Sequence, residues 1–208
     1  MQHMIVILAT MVLCSSPSFA SEPLPPFEKY TCEGNHFRAL VPTTWMRSDR
    51  NPPYADMTRV AGAKFESAPN SEGVPASIAL YWYSGERSFT TPDSYINARL
   101  NSMVREDGSG GRATVDTHVA GRKATGFKMK TFELVMLPHD RLIQGKDDGP
   151  IVYERVAPSR KVIMDEHYIV LPASKGFFVL HYRAPEAIAE AHRSIFDKVI
   201  ASFEPLVP

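Results

Sequence analysis

Near the C-terminal end one stretch dictates what must surround it. From Phe177 to Phe203 it reads FFVLHYRAPEAIAEAHRSIFDKVIASF. Phe178, Leu180 and Tyr182 fall on one face of an extended segment, and Phe177 and Val179 on the other. A strand apolar on both faces must be covered on both, so it belongs in the middle of a sheet that carries a layer on each side. Pro185 then suits a first helical position, where its missing N–H costs nothing. Glu186 stands near the positive end of that helix and Lys198 near the negative end. Ile188, Ala191, Ile195, Val199 and Phe203 recur at three- and four-residue steps, an apolar stripe that lies flat on the sheet.

The rest of the chain supplies strands for that sheet. Tyr30 and Cys32, then Phe37, Ala39 and Val41, alternate with polar residues on either side of Glu33-Gly34-Asn35, a hairpin that Trp45 closes. Residues 46–58 form a polar loop stiffened by Pro52 and Pro53. Strands follow at 59–68 and 76–83. The second, ASIALYWY, is apolar on both faces and therefore central. Tyr81, Trp82 and Tyr83 are expected to pack in the core rather than line a cleft. Thr91 and Pro92 open a helix whose buried side is Ile96, Leu100, Met103 and Val104, and Gly108 ends it. The glycine-rich run at 107–111 follows a helix and precedes a strand. That is the reverse of the order a phosphate-cradling loop needs.

Strands at 114–119 and 123–137 flank a turn at Gly121-Arg122. Along the second, Phe127 and Met129 give way to Phe132, Leu134 and Met136, a change of apolar phase that predicts a bulge near Thr131. A charged loop, 138–150, leads to strands at 151–157 and 161–171. Short connections between so many strands imply antiparallel pairing. The fold class is α+β, an antiparallel β-sheet flanked by helices as an α/β/α sandwich.

Residues 1–20 stand apart. Met4 to Leu13 are uniformly apolar, and Ser18 and Ala20 place small residues where a signal peptidase reads them, although no Lys or Arg precedes the apolar run. The expectation is export to the periplasm or beyond, with no stable membrane span after cleavage, because ten apolar residues are too few to cross a bilayer. Residues 21–26 are a proline-rich lead-in, and 27–208 form one domain. Cys14 lies within the leader behind Leu13, which is large for a lipid-attachment signal. Cys32 then has no partner within the mature chain and is expected as a small buried side chain. The whole sequence carries 23 basic and 23 acidic residues, which argues against a general nucleic-acid binder and against polybasic attachment to a membrane.

Four motifs, in order, carry a family resemblance: F-R-A-L-V-P-T-T-W at 37–45, V-A-G-R-K-A at 119–124, V-L-H-Y-R-A-P at 179–185 and I-F-D-K-V-I-A-S-F-E-P at 195–205. The chain resembles the PsbP-like proteins over most of residues 27–206. The resemblance implies an antiparallel sheet sandwiched by helices and mostly non-enzymatic work, in which members dock on or help assemble larger complexes. It brings no catalytic residues with it, and fold alone does not license function.

The residues themselves add little catalytic chemistry. The sequence has no G-x-S-x-G, H-E-x-x-H or C-x-x-C, and its S-R-K at 159–161 is not S-x-x-K. One constellation is specific enough to test. If Leu171 pairs with Phe177, then His167 faces His181 and Asp165 faces Arg183. Two imidazoles and a carboxylate are candidate Zn²⁺ or Cu²⁺ ligands, while an Asp165–Arg183 ion pair is the plainer alternative. A shift of one residue removes the pairing. His118 and Asp116, on one strand face, read as a surface pair.

The function expected is therefore that of an exported, non-enzymatic domain, without cofactor, that docks on a protein complex of the cell envelope. Loops 46–58 and 138–150 offer Pro52, Tyr54, Arg141 and Lys146 as contacts. The alternative is a small-ligand or metal-binding protein with a pocket between sheet and helix. An exposed apolar patch marks the first, and a deep pocket with convergent polar groups marks the second.

Overall fold

The computed structural model describes residues 23–48, 60–85, 89–101, 113–136, 141–144, 153–156 and 159–208, with 141–144 and 153–156 described as backbone only. In chain order the elements are β1 (Phe27–Thr31), β2 (Phe37–Pro42), β3 (Met46–Ser48), β4 (Val60–Glu66), β5 (Ser77–Tyr83) and α1 (Pro92–Asn101). Then come β6 (Thr114–Val119), β7 (Arg122–Met136), β8 (Arg141–Gln144), β9 (Tyr153–Val156), β10 (Ser159–Pro172), β11 (Phe177–Pro185), α2 (Glu186–Ser202) and β12 (Glu204–Pro205).

Seven strands form one antiparallel sheet in the order β3-β4-β5-β11-β10-β7-β6. The strand that is apolar on both faces, β11, sits at its centre, and every residue of its neighbour β5 is buried. One face carries Phe178, Leu180, Tyr182, Ile169 and Leu171 against α2. The other carries Phe177, Val179, Tyr83 and Tyr168 against Tyr95 and Ile96 of α1. The class is α+β, with helices on both faces of an antiparallel sheet.

Three features of the α2 layer were not expected. β1 and β2 pair as the predicted hairpin, but β12 adds to β2, making a separate three-stranded sheet beside α2. Phe37 of that sheet stacks on Phe203 at 5.2 Å and meets Phe178 edge-on at 6.0 Å. The helix is pinned by polar contacts as well: Tyr182 Oη donates to the carbonyl of Ala189 at 2.7 Å, and Ser202 Oγ accepts from the amide of Leu40 at 2.9 Å. Pro185 is the last strand residue and N-cap of α2 rather than its first helical residue. The buried stripe runs through Ala189, Ile195, Phe196 and Val199, and Ala191 points to solvent.

In the other layer, Thr91 caps α1 as expected, with Oγ1 accepting from the amide of Ser94 at 3.1 Å. Met103, Val104 and Gly108 lie outside the described residues. Trp82 packs on Phe178 at 4.8 Å, and Tyr83 stacks on Phe177 at 5.0 Å, the core roles expected of them.

Two local predictions fail for one reason each. The β6–β7 turn is Ala120-Gly121, both at positive φ (52° and 75°), one residue earlier than predicted. No bulge interrupts β7 near Thr131. Its pairing with β10 keeps one register from Thr125↔Val170 to Met136↔Ser159. The apolar phase changes because Phe132, Leu134 and Met136 lie on an open face instead of a covered one.

Candidate functional site

The turn between β10 and β11 decides where the histidines go. Pro172 pairs with Phe177, so the loop is the four residues Ala173–Gly176, closed by the amide of Ala173 donating to the carbonyl of Gly176 at 3.1 Å. Gly176 holds φ +91°, and a Cβ there would lie 1.9 Å from the carbonyl oxygen of Tyr83. That close approach fixes a loop one residue shorter than the sequence suggested. His167 therefore pairs with Tyr182, and His181 pairs with Tyr168. A one-residue slip sends side chains to opposite faces, so His167 lies on the α2 face and His181 on the α1 face, and the proposed metal pair does not form. Among the described residues no three His, Cys, Asp or Glu side chains converge as a metal ion requires.

Asp165 shifts with them. It pairs with Ala184, and its carboxylate lies on the α2 face, 3.7 Å from Lys130, which also binds Glu186. The residue opposite Arg183 is Glu166. Asp116 pairs with Lys123 at 2.8 Å on the exposed β6–β7 hairpin. Arg141 is the first residue of β8 rather than part of a loop. Pro52, Tyr54 and Lys146 lie outside the described residues.

Two arrangements that the sequence did not announce stand out. The first is a polar cluster on the α1 face. Glu166 is 8% exposed, yet four donors meet its carboxylate. Thr131 Oγ1 and Tyr168 Oη donate at 2.6 Å each, His181 Nε2 lies at 3.0 Å and Arg183 Nε at 3.3 Å. Arg183 also reaches Glu133 at 2.7 Å. Burial alone pushes the Glu166 carboxyl up, but the hydrogen bonds from His181, Thr131 and Tyr168 outweigh it and hold the group down at about 2. Burial lowers His181, against the pull of the Glu166 carboxylate; an ionised carboxylate only accepts, so the 3.0 Å bond is one in which Nε2–H donates. The Tyr168 ring lies between His181 at 4.0 Å and Phe127 at 4.8 Å, nearly parallel to both. The cluster satisfies itself: the acceptor is matched by its donors within the fold, which suits a structural lock.

The second is a two-stranded arm. Pairing of β11 with β10 ends at Pro185↔Met164, and pairing of β6 with β7 ends at Thr114↔Phe127. From Phe132↔Ile163 to Met136↔Ser159 the two long strands have only each other among the described residues. One side of this arm is fixed to the body. Val74, in the β4–β5 connection, packs with Val162, Met164 and Val135, and Arg160 donates to the carbonyl of Glu72 at 2.8 Å. The opposite side is open. Phe132 is 46% exposed, Leu134 59%, Met136 62% and Ile163 37%. Lys161 lies over the Phe132 ring at 4.6 Å.

The signal for this face was in the sequence as the change of apolar phase in β7. An alternation that moves from one strand face to the other, without a bulge, marks apolar side chains on the outside.

No family model and no curated protein matches this chain. Among solved structures it is similar to the solution structure of cyanobacterial PsbP (CyanoP) from Synechocystis sp. PCC 6803, at 12% identity over 90% of this chain and 97% of that one, with a TM-score of 0.46. It is also similar to a crystal structure from Bacteroides thetaiotaomicron, at 11% identity over 85% of this chain and 47% of that one, with a TM-score of 0.40. Both likenesses are ones of fold.

Proposed function

We propose that this chain is an exported, non-enzymatic domain that docks on a protein partner in the cell envelope, using the open face of the arm. The observation that carries the reading is the set Phe132, Leu134, Met136 and Ile163: four large apolar side chains gathered on one face whose reverse side is fixed to the body. With side chains of roughly 200 Å² each, these exposures leave about 400 Å² of apolar surface, the size of patch that on a monomer is often functional. The pinned reverse side keeps the face rigid, which lowers the ordering cost of binding. Export rests on the leader-like residues 1–20. A non-enzymatic role agrees with a polar cluster whose members are occupied with one another. Arg141, Lys146, Pro52 and Tyr54 are the proposed secondary contacts.

The test places a photo-activatable residue at Leu134 and, separately, at exposed Lys175 in cells. A discrete envelope partner trapped from position 134 and absent from 175 is expected. The same adducts from both positions, or none from either, would refute docking through the arm.

A further inference from the structure

The open face of the arm does not end at Phe132. Towards the body the same face of β7 carries Lys130 and Lys128, and β10 sets Asp165 opposite the first and His167 opposite the second. Side chains opposed in this way lie about 5 Å apart at Cβ. The helix α2 packs over β11 and β10, and it brings Arg193 to the same place. The Phe196 ring has His167 edge-on at 5.6 Å and the Arg193 guanidinium at 5.9 Å. Lys128, His167 and Arg193 thus gather where the flank of α2 meets β7.

The surroundings of His167 also decide which of its nitrogens is a donor. The ring is neutral at pH 7, since burial and the nearby positive charges hold it at about 4. A neutral imidazole has one N–H and one lone pair. Nδ1 is buried without a hydrogen-bond partner, whereas the residue as a whole is only half-buried. A proton on Nδ1 would strand a donor in the core, so the N–H belongs on Nε2, the nitrogen that reaches the surface.

Charge is left over at this spot. Lys130 is matched by Asp165 and Glu186, and Arg193 Nε donates to Asp197 at 3.2 Å. Lys128 is exposed, and no described carboxylate pairs with it. The charges that weigh on the His167 ring, those of Arg193, Lys128 and His181, are all positive, while Asp165, Glu190 and Asp197 act on the Tyr182 hydroxyl. The balance is one uncompensated positive charge beside two further donors, His167 Nε2–H and the terminal nitrogens of Arg193. That set suits a group with one negative charge and two acceptor oxygens, a carboxylate, better than a doubly charged phosphate.

Resting on the docking reading, we infer that Lys128, His167 and Arg193 form a cradle for an acidic side chain of the partner, the polar anchor of an interface whose apolar part is Phe132, Leu134, Met136 and Ile163. At about 3.4 Å per residue, Lys128 lies about 14 Å along β7 from Phe132 and about 20 Å from Leu134, so one partner of ordinary interface size covers both. The apolar part supplies affinity, and the cradle fixes which way round the partner lies.

The first probe is sodium acetate, added to the purified chain at pH 7 with sodium chloride of equal ionic strength as control, and followed by NMR of the His167 ring and of the Lys128 and Arg193 side chains. Acetate should shift these signals saturably, half-saturating at roughly 10–100 mM as suits a lone charge-assisted contact, and chloride should not. The ring nitrogens of His167 should report the proton on Nε2. The second probe is the adduct trapped in cells by a photo-activatable residue at Leu134. Lys128→Glu should lower its yield about fivefold or more, Lys128→Arg should keep it, and His167→Leu should lower it while the chain stays folded.

Equal shifts with acetate and chloride, or a proton on Nδ1, overturn the cradle. An acetate response combined with trapping that ignores Lys128→Glu overturns the partner as the source and leaves a site for a free small acid. A trapped partner with neither response leaves docking standing and removes only the cradle. No adduct at Leu134 in the natural chain refutes the docking reading, and the acidic partner with it, whatever acetate does.

Discussion

Acid should weaken this fold well before its carboxylates are reached, and His167 should be a principal cause. Its ring lies on the α2 face, edge-on to Phe196 at 5.6 Å, and its Nδ1 is buried without a hydrogen-bond partner. Burial is the main reason its pKa falls from 6.5 to about 4, with the positive charges of Arg193 and Lys128 adding to the effect. The unfolded chain therefore binds a proton between those values that the folded chain refuses. Stability from this group is complete above pH 6.5 and drains away as pH falls towards 4. Two-state linkage between 6.5 and about 4 gives a loss of about 2 kcal/mol at pH 5 relative to pH 7.5, for this residue alone. The pKa of His181 is lowered too and contributes in the same direction.

The assay is urea unfolding at pH 7.5, 6 and 5, comparing the natural chain with His167→Phe and, in case the larger ring overfills the site, His167→Leu. Either variant should remove about 2 kcal/mol of the loss at pH 5. One that packs well should also gain about 1 kcal/mol at pH 7.5, because an unsatisfied buried nitrogen is gone. If both variants keep the full pH dependence of the natural chain, the account of His167 is wrong.

Other consequences can be checked on the same samples. Glu166→Gln should cost about 3 kcal/mol at pH 7, since it strips the charge that Arg183 and three other donors surround. Because the natural carboxyl sits at about 2, its contribution is present above 4.5 and lost as pH falls through 2. Urea midpoints at pH 7 and pH 3 should therefore converge for the natural chain and this variant. Gly176→Ala and Gly121→Ala share a positive φ, but only the first places a Cβ 1.9 Å from a backbone oxygen, while the second meets nothing within 4 Å. Thermal unfolding should show a cost of about 1 kcal/mol for Gly121→Ala and at least 3 for Gly176→Ala, and similar costs would refute the steric argument. Cys32 is 2% exposed, and burial pushes its thiol up to about 11, so a thiol-reactive dye at pH 7.5 should label it only as the chain unfolds.

The central strand, both helices and the antiparallel class were legible because each rests on a period that the sequence repeats several times. Phe177–Tyr182 cannot be anything but a covered strand, and the stripe after Pro185 leaves α2 little freedom. Register was not legible in the same way. It turned on whether the β10–β11 loop has four residues or five, and that depends on how closely Gly176 approaches Tyr83, a contact 93 residues away in the chain. The Glu166 cluster was hidden for the same reason, because the expected register set Asp165 against Arg183. The two-residue strand β12 carries too few side chains to show any period. The arm was half visible: the phase change in β7 was read, but a bulge and an uncovered face write the same pattern along a single strand. Only the pairing with β10 tells them apart.

The central place of β11 also sets an order of events for a chain that emerges from the ribosome N-terminus first. Among the described residues, β3, β4 and β5 on one side, and β6, β7 and β10 on the other, are joined in the large sheet only through β11. Until residues 177–185 are available, neither half has its neighbour, and the core on both faces lacks its middle. β2 likewise waits for α2 and β12 to bury Phe37 and to supply its second neighbour. Nascent chains of every length short of about 185 residues should therefore remain open to proteases and to threading machinery, and the fold should close in one late step.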